Sequence, residues 1–436
     1  MSDIKRQLQQ LHGSGDPSGG NGTSSIQEKL NRLYNRSGES GGTAEKYFPE
    51  ENVRRAYKRL EELVPGEYMN TPAGDIYRAR TTYDADYIHG NCSIDEYFDI
   101  DIRRLFELGK LKDTEVPEHS GGLFLDTEAS GLSGGTGTYA FMIGLGYFHE
   151  NEFVVDQLFV DSYATEEGML DLLREYVKAS AFLVTFNGKS FDINLLNTRY
   201  AMHGQASPFD DMPHLDLLHP SRNLWDLTLE NCKLQTLERE ILEFARAHDT
   251  PGEEVPGIYF DFIRTGDPSE IAGVFEHNVH DIVSLVSVTI MLEQNFREIR
   301  SIPTENGLTM FSRARIYERR HDYENAIECY TKALEQDLTK SRRFTALGNI
   351  AALHKRGENW ERAIYLWEEQ IEVMPTFALE PYVELAKYYE HQEKNFVAAM
   401  EYVNTVIEQL PGHREDELAA LEHRLNRLRR KLERDA

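Results

Sequence analysis

The sequence predicts an α/β domain with a mixed sheet and flanking helices, followed by an all-α domain of helical repeats. Three observations carry this expectation. Between residues 117 and 296, short apolar strands alternate with amphipathic helical segments. From residue 306 onward a helical unit recurs at nearly constant spacing. Before residue 45 the chain is polar and rich in Gly and Ser. At 436 residues the chain exceeds what one ordinary core accommodates.

Residues 1–44 read as a disordered tail. Ser14 to Ser25 and Ser37 to Thr43 bury too little surface to offset their ordering entropy. Gln27 to Tyr34 has the pattern of a short helix between them. Residues 45–116 read as a lead-in segment packed on the next domain. Val53, Tyr57, Leu60 and Leu63 fall at helical spacing, and Pro65-Gly66 stops that helix. A second helix is predicted over Ile100 to Leu111, with Ile102, Leu105, Phe106 and Leu108 inward.

Residues 117–296 form the predicted α/β domain. Strands are predicted at Leu123–Thr127, Thr138–Phe148 and Phe153–Val160. Their short connections imply an antiparallel meander. A helix over Glu166 to Lys178 turns Met169, Leu170, Leu173 and Val177 inward. Next come a strand at Phe182–Phe186, a helix from Phe191 to Met202 and a strand at His214–Leu218. Helices over Leu234–Phe244 and Ser269–Leu292 close the domain.

Residues 306–436 carry the repeats. Asp322-Tyr323-Glu324-Asn325-Ala326, Asn359-Trp360-Glu361-Arg362-Ala363 and Asn395-Phe396-Val397-Ala398-Ala399 correspond, with the last alanines 37 and then 36 residues apart. Ala314 and Ala351 precede their unit's alanine by 12 residues, where two helices must approach closely. Pro375 and Pro411 follow it by 12, where the second helix ends. The pattern resembles tetratricopeptide repeats, which implies a groove for a protein or peptide partner. Leu418, Leu421, Leu425, Leu428 and Leu432 form the seam of a capping helix.

Composition narrows function. Hydrophobic residues at 40% and charged residues at 28% suit a soluble globular protein. No apolar run approaches the roughly 18 residues of a membrane span, and Met1 to Gly13 lacks a secretory signal. Cys92, Cys232 and Cys329 are too scattered for a disulfide framework or a zinc pattern, which implies reduced thiols and a cytoplasmic protein. The 74 acidic and 47 basic side chains leave a net charge of −27. Between residues 117 and 296 there are 29 acidic and 9 basic residues. Such a balance argues against tight, nonspecific binding of long duplexes. It leaves room for an enzyme that places cations between its carboxylates and a phosphate.

Three motifs supply those carboxylates. In Leu123-Phe124-Leu125-Asp126-Thr127-Glu128, Asp126 and Glu128 are at i and i+2, on one face of a strand. They repel unless a cation lies between them, although a polar strand end would look the same. Phe186-Asn187-Gly188-Lys189-Ser190-Phe191-Asp192 opens a helix with Asp192 in its first turn, where an aspartate is also favoured by the helix dipole. In His277-Asn278-Val279-His280-Asp281, His277 and Asp281 are one helical turn apart, as in any pair facing solvent. Together Asp126, Glu128, Asp192 and Asp281 make an oxygen-rich set suited to magnesium or manganese. Two such ions can serve both the attacking and the leaving oxygen of a phosphodiester displacement.

The order of these motifs resembles the DEDD superfamily of 3′–5′ exonucleases, whose fold is ribonuclease-H-like. Residues 121–292 are most similar to its YprB-like branch, which also carries C-terminal tetratricopeptide repeats. His214-Leu215-Asp216-Leu217, Arg222, Cys232-Lys233-Leu234 and His277-Asn278 share in that likeness. The resemblance implies Asp126, Glu128, Asp192 and Asp281 as catalytic metal ligands for two Mg²⁺ or Mn²⁺ ions. In the superfamily a Tyr four residues before the last Asp, or a His five before it, orients the water. Here His277 stands four before Asp281, with Glu276 five before, so a histidine occupies the tyrosine-type position. His277 is assigned as general base because imidazoles ordinarily titrate near neutral pH.

Thr127, Asn187, Lys189 and Phe191 are candidate substrate contacts, with Phe191 able to stack on a base or to fill the core beside Ile193. Lys189, Arg199, Arg222 and Lys233 could meet phosphates or simply be solvated. His214 and His219 could join the site or be satisfied core histidines. Gly131 to Gly137 could let backbone amides approach a phosphate or could serve a hairpin. The basic end of the last helix (Arg424, Arg427, Arg429, Arg430, Lys431) could aid binding or face solvent. The first reading is therefore a metal-dependent 3′–5′ exonuclease acting on single-stranded or short nucleic-acid ends. A catalytically inactive scaffold working through its repeats competes with it, and a structure-selective endonuclease is a third reading.

Overall fold

Three antiparallel strands form the middle of a seven-stranded sheet, as the apolar pattern of residues 122–159 requires. The computed structural model describes residues 59–108, 121–131, 137–297, 306–373, 379–409 and 414–435. The tail at 1–44, most of the first expected helix, residues 132–136 of the glycine-rich stretch, Pro375 and Pro411 lie outside the described residues.

In chain order the strands are β1 (Gly66–Thr71), β2 (Gly74–Asp84), the short pair β3 (Ile88–His89) and β4 (Cys92–Ser93), β5 (Gly122–Ala129), β6 (Ala140–His149), β7 (Glu152–Phe159), β8 (Phe182–Thr185) and β9 (His214–Asp216). The main sheet runs β1-β2-β7-β6-β5-β8-β9. The meander β5-β6-β7 is antiparallel, whereas β8 and β9 continue from β5 in parallel. Leu123, Phe124 and Leu125 are fully buried, because helices cover both faces of the sheet at β5.

The hairpin β1-β2 is a structural addition to the expected lead-in, and it extends the sheet through β7. Arg80 on β2 donates to the buried Asp156 carboxylate at 2.6 Å, and Tyr147 and Tyr176 donate at 2.9 and 2.7 Å. A polar network of this kind hides a strand from any search for apolar alternation.

The helices are α1 (Leu60–Leu63), α2 (Ile102–Leu108), α3 (Glu166–Ala179), α4 (Asp192–Met202), α5 (Leu218–Trp225), α6 (Leu234–Glu240), α7 (Val255–Thr265) and α8 (Ile271–Arg297). Neither α5 nor α7 was expected. One face of the sheet packs Leu123, Leu125 and Leu183 against α3, α4 and α7. The other packs Phe124, Phe182 and Val184 against α2 and α8. At 27 residues, α8 is roughly 40 Å long. It spans the sheet and carries the core onward to the repeats, where Phe296 meets Tyr317.

The repeat helices are α9 (Gly307–Arg319), α10 (Tyr323–Leu334), α11 (Lys340–Arg356), α12 (Trp360–Val373), α13 (Leu379–His391), α14 (Phe396–Gln409) and α15 (Glu415–Asp435). The physical meaning of the recurring unit is now clear. Asp322, Asn359 and Asn395 cap α10, α12 and α14, accepting backbone N–H groups three residues on. The residue before each cap (His321, Glu358, Lys394) has positive φ, which turns the chain from one helix to the next. Ala314, Ala326, Ala351, Ala363 and Ala399 are fully buried at the close helix contacts. Among the described residues no helix is long and apolar enough to cross a membrane.

The capping helix α15 buries Leu421, Leu425 and Leu428 against α13 and α14. Its basic residues have a structural role. Arg424, Arg427 and Lys431 all bind Glu390, whose side chain is wholly buried, at 2.7–2.9 Å. Burial alone would raise the Glu390 carboxyl, but hydrogen bonds from Arg427 and Lys431 reverse this and bring it down to about 2. Removing one partner of a buried pair costs about 3 kcal/mol or more. Glu390→Gln is therefore expected to destabilise the repeat domain by roughly that amount at pH 7. A carboxyl lowered by folding stabilises above its unfolded pKa and loses that contribution as pH falls. The gap between wild type and Glu390→Gln should thus close between about pH 4.5 and pH 2, as read by urea titrations.

Candidate active site

Side-chain alternation along β5 points Asp126 and Glu128 to the face that α8 covers. From α8, His277, Asn278 and Asp281 project toward them at i, i+1 and i+4. Asn278 Nδ2 donates to Asp126 Oδ2 at 2.9 Å. Asn278 Oδ1 in turn accepts from Gln157 Nε2 at 2.9 Å, and Gln157 also donates to the Phe275 carbonyl at 2.9 Å. The residue paired with Asp126 on β6 is Gly144. A Cβ at that position would lie 2.2 Å from Asn278 Oδ1. Gly144 therefore makes room for the amide that fixes Asp126.

Asp192 reaches the same place from the start of α4. Its Oδ1 accepts both the backbone N–H and the hydroxyl of Thr127, the residue between the two β5 carboxylates. The turn that delivers it is held by Asp216, which accepts the N–H groups of Asn187 at 2.8 Å and Lys189 at 3.1 Å. Asn187 adopts φ 64° there. Asp216 also accepts the Leu218 N–H at the start of α5.

His277 Nε2 lies 3.4 Å from Asp281 Oδ2 and 3.9 Å from Glu128 Oε1. One donor atom each from Glu128, His277 and Asp281 lies within 4.8 Å of the others, a spacing that could hold one metal ion. His277 Nδ1 faces Asp249 Oδ1 at 2.8 Å and Arg246 Nη1 at 3.0 Å. A guanidinium only donates and a carboxylate only accepts. Since Arg246 Nη1 also donates to Asp249 at 3.1 Å, an Nδ1–H shared with Asp249 satisfies all three groups. The Nε2 lone pair is then aimed at the carboxylates.

Arg246 is nearly inaccessible. It donates to Glu238 through Nε at 2.8 Å and Nη2 at 2.6 Å, and also to Asp281 Oδ1. Behind it, Ser284 donates to Glu238 at 2.6 Å, and His89 Nε2 lies 2.8 Å from the Ser284 hydroxyl. Burial pushes His89 down to about 3, which keeps it neutral.

The acidic groups resist ionisation together. Asp126 is raised by burial first and then by Asp281, Asp192 and Glu128, with Asn278 opposing. Glu128 is raised by burial and by Asp281 and Asp192, with Arg246 opposing. Burial brings Asp192 up to about 6, against the Thr127 hydrogen bonds. Asp249 goes the other way. Burial would raise it, but the His277 hydrogen bond and Arg246 lower it.

The structure thus brings together Asp126, Glu128, Asp192, His277 and Asp281, with Thr127 among them. Phe191 is 60% exposed, not part of the core beside Ile193, and borders a cleft of about 380 Å³ that also touches Thr127, Ala129, Ser190 and Asp192. Lys189 is exposed, whereas Asn187 contributes its backbone to the turn. Arg199 is fully buried and paired with Glu166 at 2.6–2.7 Å, so it is unavailable to a phosphate. His214 bonds Thr185 at 2.8 Å, and His280 packs edge-on to Phe244. Sequence reasoning assigned no role to Gly144, Asn278, Glu238, Arg246 or Asp249. The glycine inside an apolar strand and the Asn between His277 and Asp281 were the available signals. Nothing in the spacing of Glu238, Arg246 and Asp249 marks them.

The fold and this acidic cluster place the chain in a class. Residues 123–293 match the RNase_H superfamily, and residues 308–339 match a tetratricopeptide repeat. The chain is therefore a ribonuclease-H-superfamily domain, of a superfamily that contains nucleases, joined to tetratricopeptide repeats. It is 30% identical over 313 residues to YprB of Bacillus subtilis (strain 168), a protein described as uncharacterized, covering 71% of this chain and 74% of that protein. The chain belongs to the YprB family. A solved family B DNA polymerase from the hyperthermophilic archaeon Pyrobaculum calidifontis gives 12% identity and a TM-score of 0.32, covering 71% of this chain and 46% of that chain. That likeness is too slight to bear on function.

A carboxyl raised by folding destabilises the native state once pH passes its unfolded value. Glu128→Gln removes one of these charges. It should stabilise the protein in EDTA at pH 8 by on the order of 1–3 kcal/mol. The gain should shrink as pH falls through the raised folded value of Glu128 and be lost near its unfolded value of 4.5, where both states carry the proton. Paired thermal melts across that range check both statements.

Proposed function

We propose that this chain is a metal-dependent nuclease, and specifically a DEDD-type 3′–5′ exonuclease acting on single-stranded or short nucleic-acid ends in the cytoplasm. The observation that carries this reading is the convergence of carboxylates from β5, α4 and α8 on one pocket, with an imidazole aimed into it. Their chemistry fits hard divalent cations. Oxygen donors predominate, and burial with mutual repulsion makes the ionised cluster costly until a cation neutralises it. Asp126, Glu128, Asp192 and Asp281 would hold two Mg²⁺ or Mn²⁺ ions, which supply Lewis-acid stabilisation of the charge that builds on the phosphodiester.

The chain's own groups do the rest. His277 Nε2 accepts a proton from the attacking water, with Asp249 holding the proton on Nδ1 so that the reactive lone pair stays inward. Arg246 pins Asp281 through one oxygen and leaves Oδ2 toward the pocket. Thr127 fixes Asp192. Phe191, exposed at the cleft rim, offers a face on which a terminal base stacks. The three buried, free cysteines accord with a reducing compartment. The repeats take a protein or peptide partner.

The test uses 5′-labelled single-stranded DNA and RNA with Mn²⁺, Mg²⁺ or EDTA. The expected result is a metal-dependent ladder shortening from the 3′ end. Asp126→Ala and Asp192→Asn should abolish it. A positioned base contributes about 10²–10⁴-fold, so His277→Ala should lose that much and keep a measurable remnant. Failure of every metal to support cleavage by the wild type would remove the reading.

A further inference from the structure

We propose that the cleft between α5 and the first repeat helix α9 is a second nucleic-acid contact, which grips the phosphodiester backbone of a strand whose end lies in the carboxylate pocket. The proposal rests on the nuclease reading for its choice of polymer. The cleft measures about 200 Å³, and Arg222, Arg315 and Arg319 converge on it beside Asn223 and Ser312, with Asp226 as its acidic group.

Three facts set this place apart in a chain of net charge −27. The arginines are exposed, and among the described residues none of the three forms an ion pair. Arg319 Nη2 donates to Asn223 Oδ1 at 3.3 Å, a bond across the cleft that orients the guanidinium without neutralising it. Next to Ser312, Arg313 is fully buried, and its Nε and Nη2 find no hydrogen-bond partner. A buried charge is ordinarily paired. The Arg313 side chain lies inward, near Met310, Tyr317 and Cys329, so α9 carries a further cation that no ion pair neutralises among the described residues.

The geometry is rigid. Leu224 and Trp225 of α5 share one core with Met310, Phe311 and Ala314 of α9. Residues some 90 positions apart in sequence therefore meet only because the two domains are packed. Guanidinium forks match phosphate oxygens in pairs, which ammonium groups do not. Position completes the case. Asp216 organises the Asn187–Lys189 turn and also binds the first turn of α5. That helix is eight residues long, about 12 Å, which is about the span of four stacked nucleotides. The turn that delivers Asp192 and the helix that carries Arg222 and Asn223 thus share one anchor, Asp216, and engaging both places calls for a strand of several nucleotides rather than a dinucleotide.

The experiment is a binding measurement on the full chain that needs no turnover. Fluorescein-labelled dT16 and rU16 are titrated by anisotropy in Ca²⁺ buffer over a range of NaCl, using wild type, Arg315→Gln/Arg319→Gln and Arg315→Lys/Arg319→Lys. The Gln variant should weaken binding at least tenfold and reduce the slope of log K against log salt by about 1.4, two single-strand phosphate contacts. The Lys variant should retain the slope and part of the affinity. Hydrolysis of the dinucleotide pTpT should be equal in all three. An unchanged affinity and slope in the Gln variant overturns the proposal, as does a wild type that binds neither oligonucleotide. Displacement of the oligonucleotide by a phosphoserine peptide at lower concentration than by unlabelled dT16 also overturns it. Oligonucleotide binding that responds to the arginines in a protein with no hydrolytic activity would leave the cleft standing and remove the nuclease reading alone.

Discussion

Mutual repulsion among Asp126, Glu128, Asp192 and Asp281 is the constraint around which this domain is built. Four carboxylates in one largely water-excluded pocket would separate if their supports allowed it. Each is tied by a different device. Asp126 has the Asn278 amide, Asp192 has the Thr127 amide and hydroxyl, and Asp281 has the Arg246 guanidinium. Among the described residues Glu128 has the approach of His277 at 3.9 Å and the more distant charge of Arg246, the weakest of these supports. The pocket is thus held open against its own electrostatics, a state that a bound cation would relieve.

Holding it requires backbone precision on both sides of the sheet. A one-residue shift of β5 would turn Asp126 and Glu128 away from α8. The pairing of Asp126 with Gly144, and the absence of a side chain there, lets α8 come close enough for Asn278 to act. The same helix continues into the repeat junction, so a single rigid element sets the position of His277 and Asp281 and also carries the core across to Phe296 and Tyr317. Buried Glu238 anchors Arg246, and the His89–Ser284 pair lies behind Glu238. The site therefore rests on groups from β3, α6 and the segment before α7, of which Arg246 and Asp249 reach the pocket through Asp281 and His277 while Glu238 and His89 stand behind them.

These two kinds of structure were unequally legible in the sequence. The meander, the parallel strands and the five central side chains carry local signals: apolar runs, i and i+2 carboxylates, an i and i+4 pair on a helix. The alanine spacing of the repeats is equally local. The hairpin β1-β2 is not, because its stability comes from pairing with β7 and from polar contacts such as Arg80 with Asp156. Phe191 was open to a core role on local grounds, yet tertiary packing leaves it at a cleft rim. Arg246 and Asp249 lie in an irregular stretch where periodicity has nothing to say. Their roles exist only once α6 and α8 are side by side.

The acidity of the chain takes on a different meaning when its cations are followed individually. Arg80, Arg199 and Arg246, with Arg424, Arg427 and Lys431, are each committed to a buried carboxylate. These basic residues hold the fold together and contribute little to the outer field. At physiological ionic strength that field decays over about 8 Å. An acidic protein can therefore handle a polyanion only through contacts shorter than that distance. Cations within a carboxylate pocket meet the condition, as do guanidiniums left unpaired in a narrow cleft. The net charge of −27 accordingly argues against capture of nucleic acid from afar, and it says little about what happens once a strand end has arrived.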